Sequence, residues 1–216
     1  MLPQRFPGTT LSSTHVGSMG GLMALRRGEA HMAPTHLLDE ATGTYNIPVL
    51  KQLFHDRAMV LIKGVGRTQG IMVQKNNPLG IQGVEDLCKA RYINRQRGAG
   101  TRVLLDYLLK KTGADPAAIA GYDREAATHM AVAAAVKSGG ADAGMGVLSA
   151  ARAMGLDFVP VRDEEYDFAV PEEFLELPAI QAFLAVLKSG EFLKALEDMG
   201  GYTGDRRGEI IQIRDS

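Results

Sequence analysis

Two stretches of this chain share one design, and it restricts the possible folds more than any other feature. Residues 15–25 (HVGSMGGLMAL) and 94–107 (NRQRGAGTRVLLDY) each run from an extended lead-in, through a turn of glycine and hydroxyl residues, into an amphipathic helix. A helix start leaves its first amide N–H groups without intrahelical partners and carries about half a positive charge, so bare backbone at that point suits an oxyanion. Two such starts in one chain suggest a ligand gripped from two sides.

Charge does not supply the attraction. Across 216 residues, 24 Lys plus Arg face 25 Asp plus Glu, a net charge of −1, so no global field draws the chain to nucleic acid or an anionic membrane. An anion must be bound locally. Cys88 is the only cysteine, which excludes an intramolecular disulfide and a cysteine metal cluster, reads as a buried inert thiol and favours a reducing compartment. Residues 1–10 hold Pro3, Pro7 and Gly8 but no apolar run of signal-peptide length, and no later run approaches the ~18 apolar residues of a membrane span. The expectation is a cytoplasmic, or already processed, soluble protein.

Along the chain, the β-branched and hydroxyl residues 9–16 (TTLSSTHV) predict a strand, followed by a helix over about 19–27 that stops at Gly28. A strand over 30–35, with His31 packed inside it, a loop over 36–48 and a short helix over 49–54 come next. Residues 58–65 and 69–74 read as strand segments that can join into one long strand. Beyond the turn at 76–80 lie a short helix from Gly83, a strand over 91–94 and a helix over 101–112 that stops at Gly113. Asp115 caps a short helix with Pro116 at its first position, an alanine-rich helix spans 128–138, and a small-residue strand spans 141–148. Strands over 157–161 and 166–170 precede helices over 178–188 and 190–198. Strands alternating with short helices predict an α/β fold with parallel sheets. If the chain leaves a first lobe near residue 72 and returns near 168, residues 1–72 and 168–216 form a discontinuous lobe 1, and residues 73–167 form an inserted lobe 2. The cleft between them, beyond the carboxyl ends of the strands, is then the default ligand site.

GSMGGLMAL, GEAHMAPTHLLDEATGTYN, QGIMVQKNNP, NRQRGAGTRVLLDY, THMAVAAAVKSGGADAGMGV and LDFVP together resemble the substrate-binding-protein-like domain related to periplasmic molybdate and tungstate receptors, over about residues 12–203. The resemblance implies a two-lobed type II periplasmic-binding-protein fold with an oxyanion held between helix N-termini. It also implies a kind of domain that is commonly fused to a molybdopterin-biosynthesis domain or a helix-turn-helix. Such receptors begin with a strand, a ligand loop and a helix ahead of the segment that here starts at Thr9, so the chain is expected to lack its first strand and helix.

On this reading Ser18, with the amides of Met19 and Gly20, forms one cradle; a plain cap at a tight turn is the alternative. Gly98, Ala99, Gly100 and Thr101 form the second. Related tungstate receptors carry an arginine a few residues before the equivalent turn, which selects Arg95 over Arg97 as charge partner and leaves Arg102 as a solvated or lobe-bridging charge. Thr128 and His129 either add a third helix-start contact or merely cap. His36, where related receptors place a histidine, is expected at the ligand. Asp39, Tyr45 and Asn46 read as turn residues, Asp142 as a helix-to-strand turn, and Arg67 and Gln69 as hinge residues. No nucleophile elbow, phosphate-binding Walker loop or zinc-protease motif is present, and no bare metal site or cofactor motif stands out. The expected function is an intracellular binding or sensing module for a small oxyanion, molybdate or tungstate, without direct nucleic-acid or membrane contact. The alternatives are the effector domain of a transcription regulator for another small metabolite and an accessory domain of a molybdopterin-biosynthesis enzyme.

Overall fold

A computed structural model describes residues 1–214. The elements follow in chain order: α1 (Leu2–Arg5), α2 (Gly17–Arg26), β1 (Ala33–Thr35), α3 (Ile47–Leu53), β2 (Met59–Val73), β3 (Asn94–Arg95), α4 (Gly100–Thr112), β4 (Glu125–Ala126), α5 (His129–Lys137), β5 (Ala143–Val147), α6 (Leu148–Ala153), β6 (Asp157–Pro171), α7 (Pro178–Leu187), α8 (Gly190–Met199), β7 (Tyr202–Thr203) and β8 (Ile210–Ile213). Short 3-10 turns lie at Val84–Lys89, Pro116–Ala118 and Glu172–Phe174. Among the described residues, no helix is long and apolar enough to cross a membrane.

The chain divides into two compact units, residues 1–66 with 165–216, and residues 67–164. Two strands of 15 residues, β2 and β6, pair with each other and carry the chain from one unit into the other and back. β2 shows why one strand can serve both units. Its ends, Met59–Ile62 and Ile71–Val73, are apolar and fully buried, whereas residues 65–68 between them are only half-buried.

In the first unit, β1 lies antiparallel to β6 (Ala33 opposite Ala169) and β8 antiparallel to β2 (Met59 opposite Ile213). The core combines Val60 and Ile62 with Val170, Ile180, Leu184 and Leu187, so residues from both ends of the chain complete it. A buried Leu or Ile contributes roughly 1.5–3 kcal/mol relative to exposure, which makes that late-arriving half indispensable. α2 packs on β1 at Gly21, where a Cβ would stand 3.3 Å from the Ala33 Cβ.

In the second unit, β5 is antiparallel to β2 (Gly70 opposite Gly146), while β3 and β4 form a parallel pair (Arg95 opposite Ala126). Val132, Ala133 and Val136 of α5 close over Met72, Ile93 and Val147. Small residues on β5 permit this approach: a Cβ on Gly144 would fall 2.4 Å from the Val132 side chain.

Several expectations need correction. Residues 9–16 form no strand; they are almost wholly exposed, Leu11 at 62%, and no strand among the described residues takes up their backbone groups. The sheets are not generally parallel: β1–β6, β2–β5 and β2–β8 are antiparallel, because both long crossing strands receive partners running against them. Cys88 is exposed, on the outer side of the Val84–Lys89 turn that buries Val84 and Leu87. His31 precedes β1 and is exposed, with its ring 5.2 Å from that of Phe174.

Candidate functional site

The two glycine-bearing helix starts lie one in each unit. In the first unit, Gly17 takes φ +74° and lets the chain turn into α2 within one residue. No side chain caps this helix. Ser18 is buried within the first turn, with Met19 and Gly20 half-buried beside it. The Ser18 Oγ accepts a hydrogen bond of 3.3 Å from the His36 amide, and its own hydrogen meets no acceptor among the described residues. The hydroxyl thus has its hydrogen to donate and a second lone pair still able to accept.

His36 lies just beyond β1 and is 7% exposed, its ring stacked at 5.5 Å on Tyr166. The segment that carries it is braced by Asn46, fully buried at φ 66°. The Asn46 Oδ1 accepts from Leu37 N (2.9 Å) and Thr35 Oγ1 (3.2 Å), while Nδ2 donates to Asp167 Oδ2 (2.9 Å). Asp167 is itself buried and accepts from Lys63 Nζ (2.8 Å) and Gly64 N (3.0 Å); Lys63 also pairs with Glu165. Asn46 is thus a buried hub as well as a turn residue. Asp39 is a turn residue, accepting from Thr42 N at 2.8 Å and Thr42 Oγ1 at 2.7 Å.

The second unit gathers more of the expected residues. β3 and β4 run side by side in parallel, so α4 and α5, which follow them, begin at the same end of the pair. Arg95, Gly98–Thr101 and Thr128–His129 therefore meet at one end of this ladder. The Arg95 guanidinium is 7% exposed and donates to Ala127 O (3.0 Å) and Gln96 Oε1 (3.2 Å), which fixes its plane against the entry to α5. Gly98 takes φ +81°, Ala99 is the uncapped residue before α4, and its amide is spent on Gln96 O at 3.1 Å. The Gly100 and Thr101 amides then head the helix. Thr128 does cap: its Oγ1 accepts from Ala131 N at 3.0 Å, leaving His129 as the first, half-buried residue of α5.

α5 and α8 carry their own side-chain caps, Thr128 and Ser189, while the remaining helices, α2 and α4 among them, have none. Proline in the first turn of α1, α3 and α7 removes one of their free amides, whereas α2 and α4 keep theirs. Unfilled donors at a helix start call for an external acceptor.

Behind α4 the charges are arranged differently from expectation. Arg102 is 4% exposed, neither solvated nor bridging. Its Nε donates to Asp106 Oδ1 at 3.1 Å, Nη1 donates to Tyr122 O at 3.2 Å, and the guanidinium lies 4.0 Å over the Tyr122 ring. Helical i, i+4 spacing brings Asp106 to it, and the aliphatic stem buries against α4. Burial, and the hydrogen bond it donates to Asp106 (2.5 Å), push the Tyr122 phenol up. Arg97 by contrast is exposed, 3.8 Å from Asp123. Asp142 serves the turn, accepting from Arg91 N (2.8 Å) and Nη2 (2.6 Å), and this holds its carboxyl below the ordinary range.

Sequence reasoning missed Glu164, which is 2% exposed and takes hydrogen bonds from Arg67 Nε and, at 2.6 Å, from Gln69 Nε2. Gln69, expected only as a hinge residue, is fully buried and also donates to Thr101 Oγ1 at 2.9 Å. The available signal was a polar RTQ triplet between the apolar ends of β2.

Residues 1–188 match the family model of the PBP superfamily domain. The chain is 39% identical over 197 residues to the uncharacterized protein YvgK of Bacillus subtilis (strain 168), an alignment covering 90% of this chain and 63% of that protein, so the chain spans less than two thirds of its relative's length. Among solved structures it is similar to a putative phosphate ABC transporter substrate-binding protein with bound phosphate from Clostridium perfringens (TM-score 0.69, 12% identity, 91% of this chain and 88% of that one). It is also similar to the regulatory domain of Synechocystis PCC6803 CcmR in complex with 2-PG (TM-score 0.63, 15% identity, 86% and 85%). These two likenesses concern the fold. Antiparallel crossing strands, two compact α/β units and the matched family model agree: the chain belongs to the periplasmic-binding-protein superfamily and has its type II fold.

Proposed function

We propose that the chain is an intracellular binding or sensing module for a small tetrahedral oxyanion, molybdate or tungstate, joined in its full context to a further domain. The observation that carries this reading is the pair of uncapped helix starts, each with a buried hydroxyl whose oxygen is already occupied by an N–H donor. Ser18 with the Met19 and Gly20 amides supplies neutral donors in one unit, Thr101 with the Gly100 amide supplies them in the other, and neutral donors at helix starts hold an oxyanion without an equal counter-charge. Arg95 gives the second unit a fixed guanidinium nearby. His36 acts by orienting Ser18. The preference for molybdate and tungstate comes from the sequence resemblance, and the phosphate-bound Clostridium perfringens neighbour supports the wider oxyanion class. The role proposed is binding.

Thermal unfolding with molybdate, tungstate, sulfate and phosphate at matched ionic strength tests this. A ligand at about 100 times its Kd adds about 2.7 kcal/mol of stability. A clear upward shift with molybdate or tungstate is expected; no shift with any oxyanion overturns the reading. A second reading, an effector domain for a small metabolite, draws on the likeness to the CcmR regulatory domain with 2-PG. A shift with phosphorylated organic acids and none with inorganic oxyanions would favour it.

A further inference from the structure

We propose that the outer edge of β8, with the cavity beside its end, is a docking surface for an extended acidic peptide, which joins the sheet of the first unit as a further strand. None of its residues belongs to the two helix-start cradles.

Among the described residues β8 pairs with β2 alone, so its other edge meets no strand. A glycine bulge sets the phase of that pairing: Gly208, at φ +79°, donates to Lys63 O at 2.7 Å, and Lys63 N donates to Glu209 O at 2.8 Å. Antiparallel alternation from that point turns the backbone groups of Ile211 and Ile213 toward β2 and those of Ile210 and Gln212 outward. The outward amides and carbonyls have no partner among the described residues. Sheet edges are ordinarily blocked by a proline, a charge or a covering element. β1, at the far side of the same sheet, holds Pro34, which has no N–H, and has α2 packed on it. β8 reads Ile-Ile-Gln-Ile, with neither proline nor charge, and Ile210 is 38% exposed.

Charge selects the occupant. A cavity of about 330 Å3 lies at the end of β8, with Phe54 and Ile213 in its apolar lining and Lys51, His55, Arg57 and Arg214 in its basic lining. Asp56 is the one carboxylate of that lining among the described residues, and Arg26 already takes it up at 2.6 and 3.0 Å. Arg57 pairs with Glu173, so Arg214, exposed and next in sequence to the free edge, is the cation an occupant meets. The whole chain carries a net charge of −1, so this basic excess is local. A peptide backbone completes the outward groups of Ile210 and Gln212 as a ladder, and its carboxylates match the cavity. A second copy of β8 supplies the backbone but no carboxylate within the strand, and leaves the basic lining unmatched.

Fluorescence anisotropy with a short labelled peptide of alternating valine and glutamate tests this on the full chain. That peptide should bind saturably, and its lysine counterpart should not. A fully N-methylated form of the glutamate peptide keeps the charge but loses the ladder, and should bind about tenfold more weakly or worse. R214E should weaken the glutamate peptide about tenfold and admit the lysine one. Q212P removes an outward N–H and should cause a loss of similar size, about tenfold. If Q212P does not fold, the N-methylated peptide reads the same ladder on the wild type. Equal binding of the glutamate peptide and its N-methylated form, equal binding of the glutamate and lysine peptides, or no binding of either overturns the inference. So does a concentration-dependent dimer in sedimentation that Q212P abolishes, because a second copy then occupies the edge.

Discussion

Ser18 and Thr101 reach the same electrostatic state by different means. A backbone amide, that of His36, fixes the first hydroxyl, and a side-chain amide fixes the second. Replacing Ser18 with Ala removes a ligand donor and leaves the His36 amide without its acceptor. The expected result is about a tenfold loss of oxyanion affinity by calorimetry and about 1 kcal/mol of stability in a urea melt. Asp142 gives a pH-dependent test away from the ligand. Hydrogen bonds from Arg91 lower its folded pKa, so the stabilisation is present above the unfolded pKa and is lost as pH falls through the folded one. D142N should lower Tm at neutral pH and reduce the drop in Tm on acidification. Residue types on a helix start are easy to read in sequence, which is why Ser18 and Thr101 could be placed in the first turns of α2 and α4. What satisfies a buried charge is a matter of tertiary contact: Arg102 found Asp106 and the face of Tyr122, and Glu164 lies far along the chain from Thr101.

At the scale of elements, termini were the legible part, because glycine and capping chemistry act locally. α4 ends at Gly113 in the left-handed region (φ +74°), as expected of a glycine that stops a helix, and Thr128 and Asp115 both cap with their side chains. G113A should cost about 1 kcal/mol by urea denaturation, since alanine must adopt the strained φ. T128A should cost a similar amount, about 1 kcal/mol, by exposing the Ala131 amide. Pairing was less legible. The period of residues 9–16 suits a strand, yet a strand exists only where a neighbour receives its hydrogen bonds, and strand direction depends on what the two crossing strands meet.

At the scale of the whole molecule, the two units differ in how the chain builds them. Residues 67–164 are one continuous run whose core, from Met72 to Leu156, lies entirely within it. The other unit needs Val60 and Ile62 from one end of the chain and Val170, Ile180 and Leu184 from the other. A fragment of residues 67–164 should show cooperative thermal unfolding by circular dichroism, and residues 1–66 alone should show none until residues 165–216 are supplied. The alternation of elements made the inserted arrangement an expectation from sequence, because β2 could be drawn as a single strand serving both ends.

The same discontinuity sets an order of events during synthesis. Residues 1–66 leave the ribosome with half a core and must wait while the whole intervening unit is made. At about 5–20 residues per second, that wait lasts roughly 5–20 s. Throughout it, the buried face of β2 has no covering from β6 or α7. The inserted unit is complete first, and residues 1–66, though made before it, become native after it.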